Sequence, residues 1–333
     1  MLIWIFIFIL SLALLVKSAD WFVESAEKIG LALKISPFII GVTIVAIGTS
    51  FPELASSLVA VLKGATEIVV ANALGSNIAN ILLIVGISAI AARRLIVRRS
   101  LIDLDAPLLG TVTFLSIFIM WDKKIVLGEG ILLILGFIIY LLYTILHKRR
   151  DEEETSEAAE VLPSRIERRK KEAERIEPEK EKPTRLSPKV FTFLILGMAG
   201  LAIGANYTIE SVIKISEFFK ISTSLIAITA VAIGTSLPEL VVSIQAALKK
   251  KYEIALGNVF GSNVFNILLV TGIPALIRPL AIDELTFGIG LPFLIVATLL
   301  FVISTISRRI HIWEGAMYLL LYILFIIKLC GIF

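Results

Sequence analysis

Long apolar runs alternate with short clusters of basic and turn-forming residues along almost the whole chain. Leu2 to Val16, Ile131 to Leu146, Thr286 to Ile303 and Met317 to Ile332 hold almost no charge, and each approaches the roughly 20 residues that cross a bilayer core about 30 Å thick. Hydropathy predicts ten helical spans, at about 2–30, 37–62, 68–91, 104–121, 126–147, 188–216, 222–247, 255–278, 284–306 and 312–332. The first run lacks a basic leader and an apolar stretch resumes soon after Lys17, so it reads as a retained span rather than a cleaved signal. Between 148 and 187 the pattern breaks into Asp151, Glu152, Glu153, Glu154, then Arg165 to Lys171, with Pro163, Pro178 and Pro183. That composition predicts a solvated linker, part of it a charged surface helix. It separates five spans from five.

The two sets of five align on a constant offset without a gap. Val45 to Leu54, VAIGTSFPEL, returns as Val231 to Leu240, VAIGTSLPEL, and Leu74 to Leu82, LGSNIANIL, returns as Phe260 to Leu268, FGSNVFNIL. Glu24 and Glu210 fall on the same register. Chance likeness between leucine-rich helices reproduces apolar letters, not Gly-Thr-Ser-x-Pro-Glu, so the chain is a duplication. The expected fold is an all-α integral membrane protein of ten transmembrane helices in two five-helix repeats, 1–147 and 188–333, joined by the 148–187 linker. An odd number of spans per repeat inverts the second copy relative to the first, and inverted repeats with a midplane site between them characterise secondary transporters.

Composition agrees. Hydrophobic residues make up 57% and charged residues 18%, with mean hydropathy +0.93, against about half and about a quarter in soluble domains. The net charge of +4 does not point to nucleic acid, because the basic residues sit between apolar segments. Arg93, Arg94, Arg98 and Arg99, the linker, Lys249 to Lys251, and Arg308 with Arg309 occupy alternate loops. The positive-inside rule then puts those loops and the linker in the cytoplasm of a plasma-membrane protein, with both termini outside. Cys330 is the single cysteine, so neither an intrachain disulfide nor a cysteine metal cluster forms. His147 and His311 lie beside basic residues at membrane edges. With no nucleophile beside a base and no phosphate-binding loop, the sequence implies neither an enzyme nor a cofactor.

Glu53 and Glu239 fall mid-span, where a carboxylate costs at least ~2.5 kcal/mol to insert. Thr49 and Ser50 precede Glu53 by one helical turn, and Thr235 and Ser236 precede Glu239 likewise. Pro52 and Pro238 lack the N–H that would bond the Gly48 and Gly234 carbonyls, freeing those oxygens. Ser76 with Asn80, and Ser262 with Asn266, share helix faces one turn apart. The plainer readings are a protonated glutamate between helices, a packing kink and polar helix glue; for Asn77 and Asn263, off that face, glue is preferred. Gly75 and Gly261 are expected to permit close helix approach, and Glu24 and Glu210 to be either entry residues or interfacial anchors. Carboxylate, hydroxyl, amide and carbonyl oxygens without thiol or imidazole are hard ligands that select Na+, Ca2+ or Mg2+. Two carboxylates balance one Ca2+ and repel each other when bare, as an exchange site requires.

These paired motifs and the ten-span length resemble the cation/Ca2+ exchanger superfamily, specifically its prokaryotic Na+/Ca2+ exchanger branch. The resemblance implies electrogenic exchange of several Na+ for one Ca2+ by alternating access, the first and sixth spans sliding over a core of spans two, three, seven and eight. It also implies that Thr49, Ser50, Glu53, Ser76, Asn80, Thr235, Ser236, Glu239 and Ser262 are ion ligands, joined by the Ala46 and Ala232 backbone oxygens. Asn266 stands where several relatives, including K+-dependent ones, carry aspartate, so K+-independence is expected. Proton-coupled relatives show Gly-Asn-x-x-Glu instead. A proton-coupled Ca2+ antiporter and a non-transporting scaffold are the other readings, in that order.

Overall fold

The computed structural model describes residues 2–33, 36–97, 105–160, 187–218 and 236–331. Among them the helical segments are α1 (Leu2–Ala32), α2 (Pro37–Leu62), α3 (Glu67–Ala91), α4 (Ala106–Ile119), α5 (Leu127–Glu160), α6 (Pro188–Phe218), α7 (Leu237–Leu248), α8 (Tyr252–Ala275), α9 (Thr286–Ile306) and α10 (Ile312–Leu329). Eight are long and apolar enough to cross a membrane, and α4 and α7 are shorter apolar helices. They fall on the ten expected spans, although residues 222–235 of the seventh lie outside the described residues. Helix α5 runs past its apolar span to Glu160, so the first part of the expected linker is helical, in keeping with the helix-favouring Glu152, Glu153, Glu154, Ala158 and Ala159. The remainder of the expected linker, 161–186, lies outside the described residues.

Two short antiparallel ribbons tie the halves together. Strand β1 (Arg94–Ile96) pairs with β4 (Arg309–His311), Leu95 opposite Ile310, and β2 (Lys124–Ile125) pairs with β3 (Leu280–Ala281). The offset that carries Glu53 to Glu239 also carries β1 onto β3 and β2 onto β4, so each ribbon is the pseudo-symmetric copy of the other. The first joins the α3–α4 loop to the α9–α10 loop, the second the α4–α5 loop to the α8–α9 loop. Since successive loops alternate between the two ends of an antiparallel bundle, the ribbons cap opposite ends. Trp121, 71% exposed, and Trp313, 82% exposed, flank the β2 and β4 ends respectively, where amphipathic rings suit the two membrane interfaces.

The same tight turn serves both repeats between their second and third helices. Gly64 takes φ +82° there and its counterpart Lys250 takes φ +60°. Glycine meets no Cβ penalty in this left-handed region, whereas Lys250 accepts a cost of roughly 1–2 kcal/mol. Its neighbours pair with α1. Lys249 Nζ lies 2.9 Å from Asp20 Oδ1 and 3.0 Å from Glu24 Oε1, and Lys251 pairs with Glu27. Burial works to lower the Lys249 pKa, but the Asp20 and Glu24 carboxylates outweigh it and raise the ammonium above its ordinary value. Glu24 is therefore one of the acidic residues that tie α1 to the turn after α7.

Helices α3 and α8 occupy the centre, 72% and 94% buried, while α1 and α6 are only 24% buried and pack chiefly on each other. Small residues let α6 lie against α1: a Cβ on Gly197 would sit 2.9 Å from Ser18 O, and one on Gly204 2.9 Å from Leu15 Cγ. The contact of α8 with the first half of α2 is tighter. A Cβ on Gly257 would lie 2.7 Å from Phe38 O, one on Gly41 2.7 Å from Ile254 O, and one on Gly261 2.6 Å from Ala46 Cβ. Gly261 thus permits close approach as expected, while Gly75 meets nothing within 4 Å among the described residues. Gly257→Val and Gly261→Val are expected to abolish recovery of folded protein, because backbone carbonyls cannot yield as side chains do. Gly110→Ala, whose added Cβ meets nothing within 4 Å among the described residues, should be neutral or raise stability by up to about 1 kcal/mol. Thermal unfolding of the detergent-purified variants distinguishes the two outcomes.

Candidate cation site

Four helices carry the candidate residues. Ala46, Thr49, Ser50 and Glu53 lie on α2, Ser76 and Asn80 on α3, Glu239 on α7 with Ser236 immediately before it, and Ser262 and Asn266 on α8. Ala232 and Thr235 of the expected set, like Gly234, lie outside the described residues. Helix α2 continues through Pro52 after a π-helical turn at Gly41–Val45, and Pro238 sits in the first turn of α7. Further π turns at Ala79–Val85 and Asn266–Val270 include Asn80 and Asn266. Such turns break the regular i→i−4 ladder and recur at functional sites. The π turn of α8 packs on α2 and that of α3 packs on α7, so each glutamate helix faces the asparagine turn of the opposite repeat.

The two carboxyls are buried together, Glu53 at 0% and Glu239 at 1% exposure, close enough to interact electrostatically. Ser50 Oγ donates to Glu239 Oε1 at 2.8 Å. The hydroxyl thus serves the carboxylate of the other repeat rather than Glu53, one turn along its own helix. Thr49 also reaches across, its Oγ1 lying 3.1 Å from Asn258 Oδ1 and 3.3 Å from Ala46 O. Among the described residues no hydrogen bond reaches either Glu53 carboxyl oxygen, Glu239 Oε2, Ser236 Oγ, Ser262 Oγ, Asn266 Oδ1 or the Asn80 amide. Buried polar atoms are costly when left so, and this group of oxygens has the chemistry of a hard-cation shell. Ser76 is buried on the same α3 face. Ser262 and Asn80 make no hydrogen bond to either glutamate.

Asn77 belongs to the packing instead, as the sequence favoured. Its Nδ2 donates to Asn263 O at 2.9 Å and its Oδ1 accepts from Asn266 Nδ2 at 3.1 Å. A backbone carbonyl only accepts, so the first bond fixes which end of the Asn77 amide faces Asn266, and that in turn leaves Asn266 Oδ1 as its outward atom. Two residues escaped the sequence reading: Asn258, whose Nδ2 donates to Ser243 Oγ at 2.9 Å and Glu239 O at 3.4 Å, and Ser243 itself. The repeat held the signal, since the same offset pairs Asn258 with Asn72 and Ser243 with Ser57. Beside the site a cavity of about 240 Å³ is lined by Gly48, Phe51, Pro52 and Pro238 against Met198 and Ala202 of α6.

The family model for sodium/calcium exchanger proteins matches residues 3–146 and 189–330. The chain belongs to the sodium/calcium exchanger family. A presumed antiporter, CaxA of Alkalimonas amylolytica, is 36% identical to this exchanger over 95% of the chain and 96% of its own length. The sodium/calcium exchanger MaX1 of Methanosarcina acetivorans is 34% identical over 97% of each chain. A solved structure of the sodium-calcium exchanger NCX_Mj superposes with a TM-score of 0.78 at 31% identity, covering 98% of this chain and 99% of that one. The ten-helix inverted-repeat fold accords with that structure. The chain is therefore a multi-pass membrane antiporter for Ca2+ exchange, in a family of transporters rather than enzymes.

Asn77→Leu is expected to strand the Asn266 amide, costing about 1–3 kcal/mol for the buried group left unpaired, while the Asn263 carbonyl keeps the backbone N–H of Asn266. The melting temperature of the purified protein should fall by several degrees; an unchanged value would show that the two asparagines are not coupled.

Proposed function

We propose that this exchanger carries Ca2+ against Na+, electrogenically and without K+, at a site built around Glu53 and Glu239. The observation that supports it is the joint burial of two carboxyls from symmetry-related helices. Three of their four oxygens meet no hydrogen-bond donor among the described residues. Bare, such a pair repels strongly; one Ca2+ neutralises it, and Na+ ions can replace that charge. The ligands are assigned to the Glu53 and Glu239 carboxylates, the Thr49, Ser50, Ser76, Thr235, Ser236 and Ser262 hydroxyls, the Asn80 and Asn266 amide oxygens, and the Ala46 and Ala232 carbonyls. Neutral Asn266, in place of a third carboxylate, supports K+-independence. The relative MaX1 bears the name of a sodium/calcium exchanger, and NCX_Mj was soaked with Na+ together with Ca2+ or Sr2+.

The repeats are assigned to 1–147 and 188–333, with 148–187 as a cytoplasmic linker that takes in the polar end of α5. Both termini are then outside, and the β1·β4 end, with Arg93, Arg94, Arg308 and Arg309, faces the cytoplasm. Alternating access is assigned to movement of α1 and α6 over the other helices, a reading supported by the apolar cavity under α6.

Proteoliposomes loaded with Na+ should take up Ca2+ in the absence of K+, with a response to membrane potential. Glu53→Gln and Glu239→Gln should each lower uptake at least about 100-fold, since a unit charge pair ~4 Å apart is worth ~4 kcal/mol even at an effective dielectric near 20. Uptake driven equally by a pH gradient without Na+ would select the proton-coupled antiporter, and a glutamine variant at parental rate would remove the site. For topology, cysteines placed one at a time in a Cys330→Ser background at Glu284 and Arg94 should react with an impermeant maleimide from outside intact cells at 284 only. Labelling at 94 alone would invert the assignment.

A further inference from the structure

We infer that Asn258 is the positioning residue that makes the Thr49 hydroxyl and the Ala46 carbonyl available to a cation. The inference rests on the site reading above and concerns a residue outside that ligand set. Glu239 O accepts hydrogen bonds and donates none, so the amide nitrogen of Asn258 faces it and Ser243, 3.4 and 2.9 Å away. The oxygen end therefore faces Thr49 Oγ1 at 3.1 Å. Amide oxygen only accepts, which directs the single Thr49 hydroxyl proton to Asn258. Both lone pairs of the hydroxyl then remain for a cation.

The alternative is visible elsewhere in the same molecule. Thr43 donates to Ile39 O at 2.6 Å, Thr113 to Leu109 O at 2.9 Å, Ser56 to Glu53 O at 2.9 Å and Ser116 to Thr113 O at 2.7 Å. Bonding back to the preceding turn is the ordinary habit of a mid-helix hydroxyl. In Thr49 that contact, to Ala46 O, is stretched to 3.3 Å. Were Asn258 absent, the proton would turn to Ala46 O or to the neighbouring Glu239 carboxylate, and either bond would engage two of the proposed ligands. Asn258 is 0% exposed and follows Gly257 in the tightest contact of α8 with α2, so it is held in place. It contributes an acceptor without adding charge to a site whose charge count matters.

The test is a double-mutant cycle in proteoliposomes, reading the half-saturating Ca2+ concentration of Na+-driven exchange alongside the melting temperature. Asn258→Leu and Thr49→Val should each raise half-saturation about tenfold or more, and the double variant should be no worse than the worse single one. Unchanged half-saturation in Asn258→Leu, or effects that multiply in the double variant, would overturn the inference while leaving the site reading intact. A silent Thr49→Val overturns the reading of Thr49 as ligand, and this inference with it. If Asn258→Leu does not fold, Ser243→Ala supplies the milder perturbation: it should raise half-saturation several-fold with Thr49 present and have no effect in the Thr49→Val background. The same effect in both backgrounds would overturn the inference.

Discussion

Two like carboxyls buried within electrostatic reach of each other inside an apolar bundle set the terms for everything around them. Each alone is costly at membrane depth, and side by side they resist being charged at once. Neither is paired with lysine, arginine or histidine among the described residues. A structural ion pair would have removed the problem and, with it, the need for a mobile cation. The protein instead supplies neutral oxygen atoms: hydroxyls, amides and backbone carbonyls. Such a shell favours a cation without replacing it, which suits a cargo that must leave again.

Because the carboxyls come from different repeats, their support is exchanged between repeats as well. Ser50 of the first repeat serves Glu239 of the second, and Asn258 of the second holds Thr49 of the first. Helices close enough for these bonds require backbone contact, which explains why Gly41, Gly257 and Gly261 meet carbonyls and Cβ atoms where no side chain fits. Packing and chemistry are thus one requirement here: the hydrogen bonds fix the distance, and the glycines make that distance reachable.

Much of this was legible in the chain. Duplication made Glu53 and Glu239, the two prolines and the Ser/Asn pairs stand out, and hydropathy located the spans, because burial in lipid constrains composition over twenty residues at a time. What escaped was of shorter range or needed the third dimension. Helical spacing placed Ser50 beside Glu53, yet its partner is Glu239, since which neighbour wins depends on how two helices cross. Asn258, in register with Asn72, lies outside the two repeated motifs, so nothing in the sequence singled it out. The π turns have no sequence signature that would separate them from the α-helix around them.

The crossed bonding also limits how such a molecule can move. A site whose ligands are held by the opposite repeat exists only while α2, α3, α7 and α8 stay docked, and pulling the repeats apart would break the Ser50–Glu239 and Thr49–Asn258 bonds together. Any change of access that preserves the site must therefore occur at its periphery. Helices α1 and α6 form that periphery. They pack chiefly on each other across small residues, and an apolar cavity lies between α6 and the prolines beside the site. Their fixed attachment is lopsided: Asp20, Glu24 and Glu27 of α1 clasp Lys249 and Lys251 at one end of the bundle. At the corresponding places in the second repeat, Asp20 has become Asn206, Glu27 has become Ile213 and Lys251 matches Ala65. The repeated motifs around Glu53 and Glu239 keep their two-fold correspondence in sequence, and the outer pair departs from it at these contacts.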